Sequence, residues 1–462
     1  MGELEVIGIG GLAVLFGLLA LRMPVGLAMV VVGIGGSYAL SLVAPYLRFE
    51  PYLAQFKTLL WGTVANYDLS VVPLFVLMGY LASEANLSRD LFQGVNALFG
   101  RMRGGVAMAA VGACAGFGAV CGSSLATAST MGRVALPELR RLQYAPRLAT
   151  GTLAAGGVLG ILIPPSVALV IYAIIVEASI IDMFQAAIIP GILAVFMFMV
   201  VIGLSVRLKP ETAPPAIAMP ADQRKRALIR LIPVLLIFLS IILGLGMGLF
   251  TPTPAAAVGV FAVLVYGMVL RAFGEGLTFA GIVQAMKDSA RTSGMIYFIL
   301  FGAEVLKGFF TRAGLPAALS DWASASGYNP WTVLITLLAM LIVLGCFMDS
   351  LSMILVVVPF IWPTLVTING GDYAVAETAA FGMSTADLKI WFGILALVVV
   401  ELGLITPPVG LNVFIINALA TGVPMRETFR GVMPFFSAEI IRIALLMLFP
   451  ALTLALPHFL TG

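Results

Sequence analysis

The sequence predicts an all-α polytopic membrane protein built from two inverted-topology repeats. Three observations predict it. Of the 462 residues, 61% are apolar and only 10% are charged, whereas soluble domains carry about 25% charged residues. Apolar runs of about 20 residues, the length that crosses a bilayer core, recur along the chain. Two kinds of interruption, one rich in Gly and Ser and one at Pro-Pro, occur in the same order in each half. Soluble enzymes and disordered scaffolds are excluded by the first observation alone. Net charge is +3, and the longest basic tract is Arg224-Lys225-Arg226, so nucleic acid is not a partner. The three cysteines (Cys114, Cys121, Cys346) lie in apolar or Gly-rich stretches and do not form a disulfide framework. The single histidine, His458, removes His-based zinc sites and Ser-His-Asp triads. The start of the chain lacks the basic region of a cleaved signal, so its first apolar run reads as a retained span.

In chain order, simple spans are expected at 6–22, 24–44, 68–85, 184–206, 231–250, 253–270, 294–311 and 434–456. Amphipathic helical spacing predicts bracing or interfacial arms at 48–64, 88–99, 279–290 and 315–322. Four further apolar stretches are interrupted. Residues 104–141 contain Cys121-Gly-Ser-Ser-Leu-Ala-Thr127, and 330–365 are broken around Met348-Asp-Ser-Leu-Ser352; both read as re-entrant helical hairpins. Residues 148–177 are broken at Ile163-Pro-Pro-Ser166, and 389–420 at Ile405-Thr-Pro-Pro408. Consecutive prolines remove two backbone donors and clash with the preceding turn, so a helix stops there.

The chain therefore divides into repeat one (1–206), a basic link (207–230) and repeat two (231–462). Gly160-Ile-Leu-Ile-Pro-Pro165 matches Gly403-Leu-Ile-Thr-Pro-Pro408, and Ser123-Ser-Leu-Ala-Thr127 matches Asp349-Ser-Leu-Ser-Met353. The link holds Arg207, Lys209, Arg224, Lys225, Arg226 and Arg230, and the ends of the first hairpin carry Arg101, Arg103, Arg140, Arg141 and Arg147. Both belong in the cytoplasm by the positive-inside rule. The second hairpin's ends, with Asp321, Asn329, Asn369 and Asp372, belong outside, as do both termini. The two hairpins then enter from opposite sides, as in an inverted repeat.

Hairpin arms of about 14 residues would be about 21 Å long, short of the roughly 30 Å core. Tips at that depth must be buried in protein or line a cavity. Helix N-termini aim unpaired N–H groups at anions, and unwound carbonyls and hydroxyls suit Na⁺. Such sites side by side suit coupled transport of a carboxylate. The candidate residues are Ser123, Ser124, Thr127 and Thr130 at the first tip, with Ser166 after the first Pro-Pro. In half two they are Asp349, Ser350 and Ser352 at the tip, with Thr406, Asn412 and Asn417 beside the second Pro-Pro. Asp349, an ionisable group in a span, reads as functional. Ala126, Ala128 and Ser129 read as helix packing. Glu401 reads as a brace of its half-helix or part of a second cation site. Glu304 is expected to pair with Lys307 or Lys287, and Glu439 with Arg442.

These motifs resemble the large membrane subunit (M subunit) of tripartite ATP-independent periplasmic (TRAP) transporters. The resemblance covers essentially the whole chain, through Gly122-Ser-Ser-Leu-Ala-Thr-Ala128, Gly160-Ile-Leu-Ile-Pro-Pro-Ser166, the Met348-Asp349 region with Pro359 and Pro363, and Gly403-Leu-Ile-Thr-Pro-Pro-Val-Gly-Leu-Asn412. It implies a Na⁺-driven importer of small organic acids in the bacterial inner membrane, working as an elevator. It implies two partners, a small four-helix membrane subunit and a periplasmic substrate-binding protein. The small subunit is expected to be a separate chain. The resemblance places one Na⁺ site per half. The first falls on Gly122, Ser123, Pro164, Pro165 and Ser166, the second on Asp349, Thr406, Pro407, Pro408 and Gly410. Substrate contacts are expected from Ser123, Ser124, Thr127, Ser350, Ser352 and Asn412. The rival readings are a stand-alone Na⁺- or H⁺-coupled carboxylate transporter, an intramembrane enzyme and a channel. An enzyme would need a catalytic pair at depth, which the sequence does not offer. Opposed dead-end hairpins suit alternating access better than a pore.

Overall fold

The computed structural model describes residues 2–21, 23–215, 219–325 and 327–461; residues 216–218 of the basic link lie outside them. All regular structure among the described residues is helical. The first half runs α1 (Glu3–Ala20), α2 (Val25–Val43), α3 (Phe49–Val64), α4 (Val71–Glu84) and α5 (Leu87–Phe99). It continues through α6 (Gly105–Cys121), α7 (Ser124–Arg141), α8 (Pro146–Leu162), α9 (Val167–Val176) and α10 (Ile180–Leu208). The second half runs α11 (Ala221–Gly246), α12 (Pro252–Ala272), α13 (Phe279–Arg312), α14 (Leu315–Ala325) and α15 (Pro330–Gly345). Then come α16 (Ser350–Asn369), α17 (Thr385–Gly403), α18 (Leu411–Leu419), α19 (Met425–Leu448) and α20 (Ala451–Thr461). The expected arms are all helical, and α6–α7 and α15–α16 are the two hairpins.

Four boundaries differ from expectation. The arm at 279–290 and the span at 294–311 form one helix, α13, because a lone Gly294 weakens a helix without ending it. The span expected at 231 begins at Ala221, so half of the basic link is helical. The last span does not run through to 456: Pro450 forces Phe449 out of the helical region (φ −126°, ψ 76°), and α20 starts anew. Hairpin arms are longer than 14 residues, with 17 in α6, 18 in α7, 16 in α15 and 20 in α16. At 1.5 Å per residue they run about 24–30 Å, and of the four α16 alone is long and apolar enough to cross a bilayer, so arm length does not by itself stop the tips inside the membrane. Pro137, Pro359 and Pro363 lie inside these helices without stopping them, which packed neighbours allow in membrane helices.

The core is set by the two broken helices. Every residue of α8 from Leu148 onward is buried, and so is every residue from Trp391 to Ile405 in and beyond α17. A helix that is apolar and covered all round belongs at the centre of a bundle. The first hairpin packs on α8, α15 and α16 pack on α17, and α19 packs on both broken helices. Around them, α2 lies along α13 and α4 lies along α12 and α13. The outer helices expose large apolar side chains such as Trp61, Leu236 and Phe261. In water this would be untenable; against lipid it is the expected surface.

Glycines set the closest crossings. A Cβ on Gly118 of α6 would lie 2.2 Å from the Cα of Gly160 on α8. A Cβ on Gly403 of α17 would lie 2.7 Å from the Cα of Gly345 on α15. Each crossing sits four residues before a tip or a Pro-Pro, so it holds hairpin tip and helix break side by side.

Candidate functional site

Four helices restart after a break: α7, α9, α16 and α18. Three carry a side-chain cap. Ser123 Oγ accepts from Ala126 N (3.4 Å), Ser166 Oγ accepts from Leu169 N (3.5 Å), and Asp349 Oδ2 accepts from Ser352 N (3.2 Å). Asp349 Oδ1 also accepts from Ser352 Oγ (2.5 Å). Ser and Asp are strong N-caps because a side-chain oxygen satisfies an otherwise orphaned first-turn N–H. The fourth restart uses Gly410, whose φ of 62° suits a residue without Cβ. Both Pro-Pro bonds, Pro164–Pro165 and Pro407–Pro408, are cis.

All four restarts meet at one cavity of about 760 Å³. Its wall includes Ser123 and Ala126 from α7 and its cap, Val167 from α9, Asp349 and Leu351 from α16 and its cap, and Leu411 from α18. The opposite wall is Gly79, Tyr80 and Glu84 of α4 with Asp288 and Thr292 of α13, where the Tyr80 and Thr292 hydroxyls lie 2.8 Å apart. Along α7 the wall continues through Ser129 and Thr130 to Arg133. Helix N-termini each present about half a positive charge, so four of them with the Arg133 guanidinium offset the carboxylates of Glu84, Asp288 and Asp349 lining the same cavity and leave a polar space with cationic and anionic groups side by side. Gly122 packs against the first break: a Cβ there would lie 3.2 Å from Val167 N. The second tip meets the second break through Cys346 Sγ, 3.5 Å from Pro407 O.

Behind the cavity wall, Glu401 of α17 is fully buried. Its Oε2 accepts from Ser124 Oγ (2.5 Å) and its Oε1 from Ser350 Oγ (2.5 Å). One carboxylate therefore holds both hairpin tips.

The chain matches the family model "Tripartite ATP-independent periplasmic transporter, DctM component" over residues 12–452. It belongs to the DctM family. Among its relatives, the C4-dicarboxylate TRAP transporter large permease protein DctM of Pseudomonas aeruginosa is 32% identical over 92% of this chain and 94% of that protein. The sialic acid TRAP transporter large permease protein SiaM of Vibrio cholerae is 29% identical over 96% and 97%. The isethionate TRAP transporter permease protein DctMQ of Oleidesulfovibrio alaskensis is 25% identical, and its match spans 98% of this chain but 66% of that longer protein. In fold, the chain is similar to the solved YdaH transporter of Alcanivorax borkumensis, with a TM-score of 0.63 at 14% identity, covering 88% of this chain and 90% of that one. The chain is thus a TRAP large permease, a multi-span protein of the bacterial inner membrane and not an enzyme.

In this DctM-family chain, the residues singled out from the sequence divide into two sets. Gly122, Ser123, Thr130 and Asp349 line the cavity. Ser124, Thr127, Ser166, Ser350, Ser352 and Asn412 are buried beside it. Asn412 Nδ2 donates to Ala154 O (3.5 Å), and Thr406 Oγ1 donates to Leu402 O (2.6 Å). Pro164 and Pro165 border a separate apolar hollow against α10 and α11; Pro407 and Pro408 are exposed, and Gly410 is buried near Phe429. Asn417 accepts from Thr428 Oγ1 (2.8 Å). Glu439 and Arg442 form the expected pair, fully buried, with Arg442 Nη1 also donating to Pro190 O (3.2 Å). Glu304 makes no ion pair with Lys307 or Lys287 among the described residues; Glu304 and Lys307 are both exposed on α13 and line a surface hollow with Asn66 and Glu177.

The sequence reading missed Arg133, Glu84 and Asp288, and read Ser129 as packing although it lines the cavity. A signal existed for Arg133. It lies ten residues beyond the Ser123 cap, and with Ala126 and Thr130 it follows the 3–4-residue spacing of one helix face.

Proposed function

We propose that this large permease is the membrane transport subunit of a Na⁺-coupled importer of small organic acids, which receives its substrate from a periplasmic binding protein and works beside a small membrane subunit. The observation that carries the reading is the convergence of four helix N-termini on one cavity between the two hairpin tips. An acid bound there meets fixed backbone dipoles without reorganisation, and Arg133 is the cation nearest along α7. The relatives named for C4-dicarboxylates, sialic acid and isethionate all carry an organic anion in their names, which favours the same substrate class here.

For the coupling ion, Thr127 Oγ1 and Asn412 Oδ1 are among the buried oxygens of the described residues that lack a hydrogen-bond partner. Both residues lie against the glycine face of α8, Thr127 at Gly160 and Asn412 at Gly157. Orphaned oxygens at that depth are expensive unless a donor or cation reaches them. They fit a Na⁺ held by hydroxyl, amide and carbonyl oxygens near the first tip. Asp349 supplies the negative charge at the second.

The matched breaks and the matched glycine crossings support two inverted repeats, with the hairpins and broken helices moving as one body against α1–α5 and α11–α14. With the basic hairpin ends in the cytoplasm, the cavity opens inward, because Glu84, Arg133 and Asp288 lie toward that side. Replacing Asp349 by Asn and Ser123 by Ala, and measuring Na⁺-dependent uptake in proteoliposomes, tests the site. A rise in the Na⁺ concentration for half-maximal uptake is expected. Unchanged uptake and unchanged Na⁺ dependence in both variants would overturn the site assignment.

A further inference from the structure

We propose that Glu401 is a positioning residue that locks the two hairpin tips into a single unit and so sets the spacing of Ser123 and Asp349 across the cavity. The inference rests on the transport reading above for its kinetic consequences, but its geometry stands alone. Ser123 and Asp349 are caps that face the cavity. The next residue in each chain segment, Ser124 and Ser350, turns about 100° around its helix and meets the same carboxylate from opposite oxygens, each at 2.5 Å. The two serines are far apart in sequence, and among the described residues no hydrogen bond joins them directly.

A buried carboxylate is a costly choice for a mere spacer. No Lys, Arg or His forms an ion pair with Glu401 among the described residues, and the neighbouring Arg442 is paired with Glu439. What a carboxyl group offers is two polar oxygens on one short stem, one within reach of the hydroxyl of each tip. A movement of either tip then strains the hydrogen bond at the other.

The test uses the purified transporter with its membrane partner, read by hydrogen exchange at the tips and by transport kinetics. Glu401→Leu should speed backbone exchange at Gly122–Leu125 and at Asp349–Leu351 together, and should raise substrate KM about tenfold with a smaller change in maximal rate. Ser124→Ala should loosen the second tip as well as the first, and Ser350→Ala the converse. Glu401→Gln, which can accept from one serine and donate to the other, should recover most of the KM. If each serine variant loosens only its own tip, or if Glu401→Leu and Glu401→Gln both leave KM at the wild-type value, the tie is refuted. Should wild-type uptake prove independent of Na⁺, the coupling-ion reading fails, while the exchange data still decide whether Glu401 joins the tips.

Discussion

Gly118 and Gly160 cross so closely that a Cβ on the former would sit 2.2 Å from the Cα of the latter. Gly345 and Gly403 make the corresponding crossing in the second half, where a Cβ on Gly403 would sit 2.7 Å from Gly345 Cα. Backbone lies on both sides of each contact, so no side chain can yield. Gly118→Ala and Gly403→Ala should each destabilise the protein by at least about 1–3 kcal/mol through overpacking, seen as a lower midpoint in thermal unfolding in detergent. Gly10→Ala and Gly294→Ala, in helices with open space around the new methyl, should leave the midpoint unchanged or raise it slightly, because Ala is the better helix former. Equal midpoints for both sets would mean that the crossings do not hold tip and break together.

Cys121 borders the cavity, whereas Cys114 and Cys346 are buried. A maleimide should therefore label this chain at Cys121 and block uptake, and Cys121→Ala should make uptake resistant. Substrate with Na⁺ should slow the labelling. Mass spectrometry of the labelled peptide identifies the site; a label on Cys114 or Cys346 first would contradict the cavity's position.

The Glu439–Arg442 pair is buried completely, and among the described residues Glu439 Oε1 and Arg442 Nε have no hydrogen-bond partner. Removing one partner leaves a buried, uncompensated charge, which costs about 3–5 kcal/mol. Arg442→Met should thus lower thermal stability strongly. Glu439→Met combined with Arg442→Met should recover most of the loss. A double variant as unstable as the single one would argue that the charges themselves, through contacts such as Pro190 O, are needed for folding.

Arg133 faces the cavity about ten residues beyond the first cap. Arg133→Gln should raise KM for a dicarboxylate substrate more than for a monocarboxylate one, because a second charge loses its cation. A parallel rise for both would place Arg133 outside the anion's path.

Much of this architecture was legible in the sequence. The Pro-Pro breaks and the tip at Gly122 follow from local chemistry, since proline removes donors and glycine accepts positive φ. What was not legible depends on rotation and distance. Gly294 looks like a boundary, but packing of α13 along α2 and α4 carries the helix through it. Ser124 and Ser350 read as tip hydroxyls, and the match between the two segments even pairs them with each other. Their common partner Glu401 lies 277 residues from one and 51 from the other. No local pattern fixes how three helices turn toward one point. Arg133 was overlooked for a related reason: its face of α7 gains meaning only once α4 and α13 close the other side of the cavity.

The most direct test of the transport mechanism is uptake of labelled organic acids, beginning with a C4-dicarboxylate, sialic acid and isethionate, into proteoliposomes holding the permease and its small membrane partner, with the binding protein outside. An inward Na⁺ gradient should drive accumulation of one of these acids, only when the binding protein is present. Accumulation of that acid at the same rate and to the same level with K⁺ replacing Na⁺ would contradict the coupling at the centre of the mechanism.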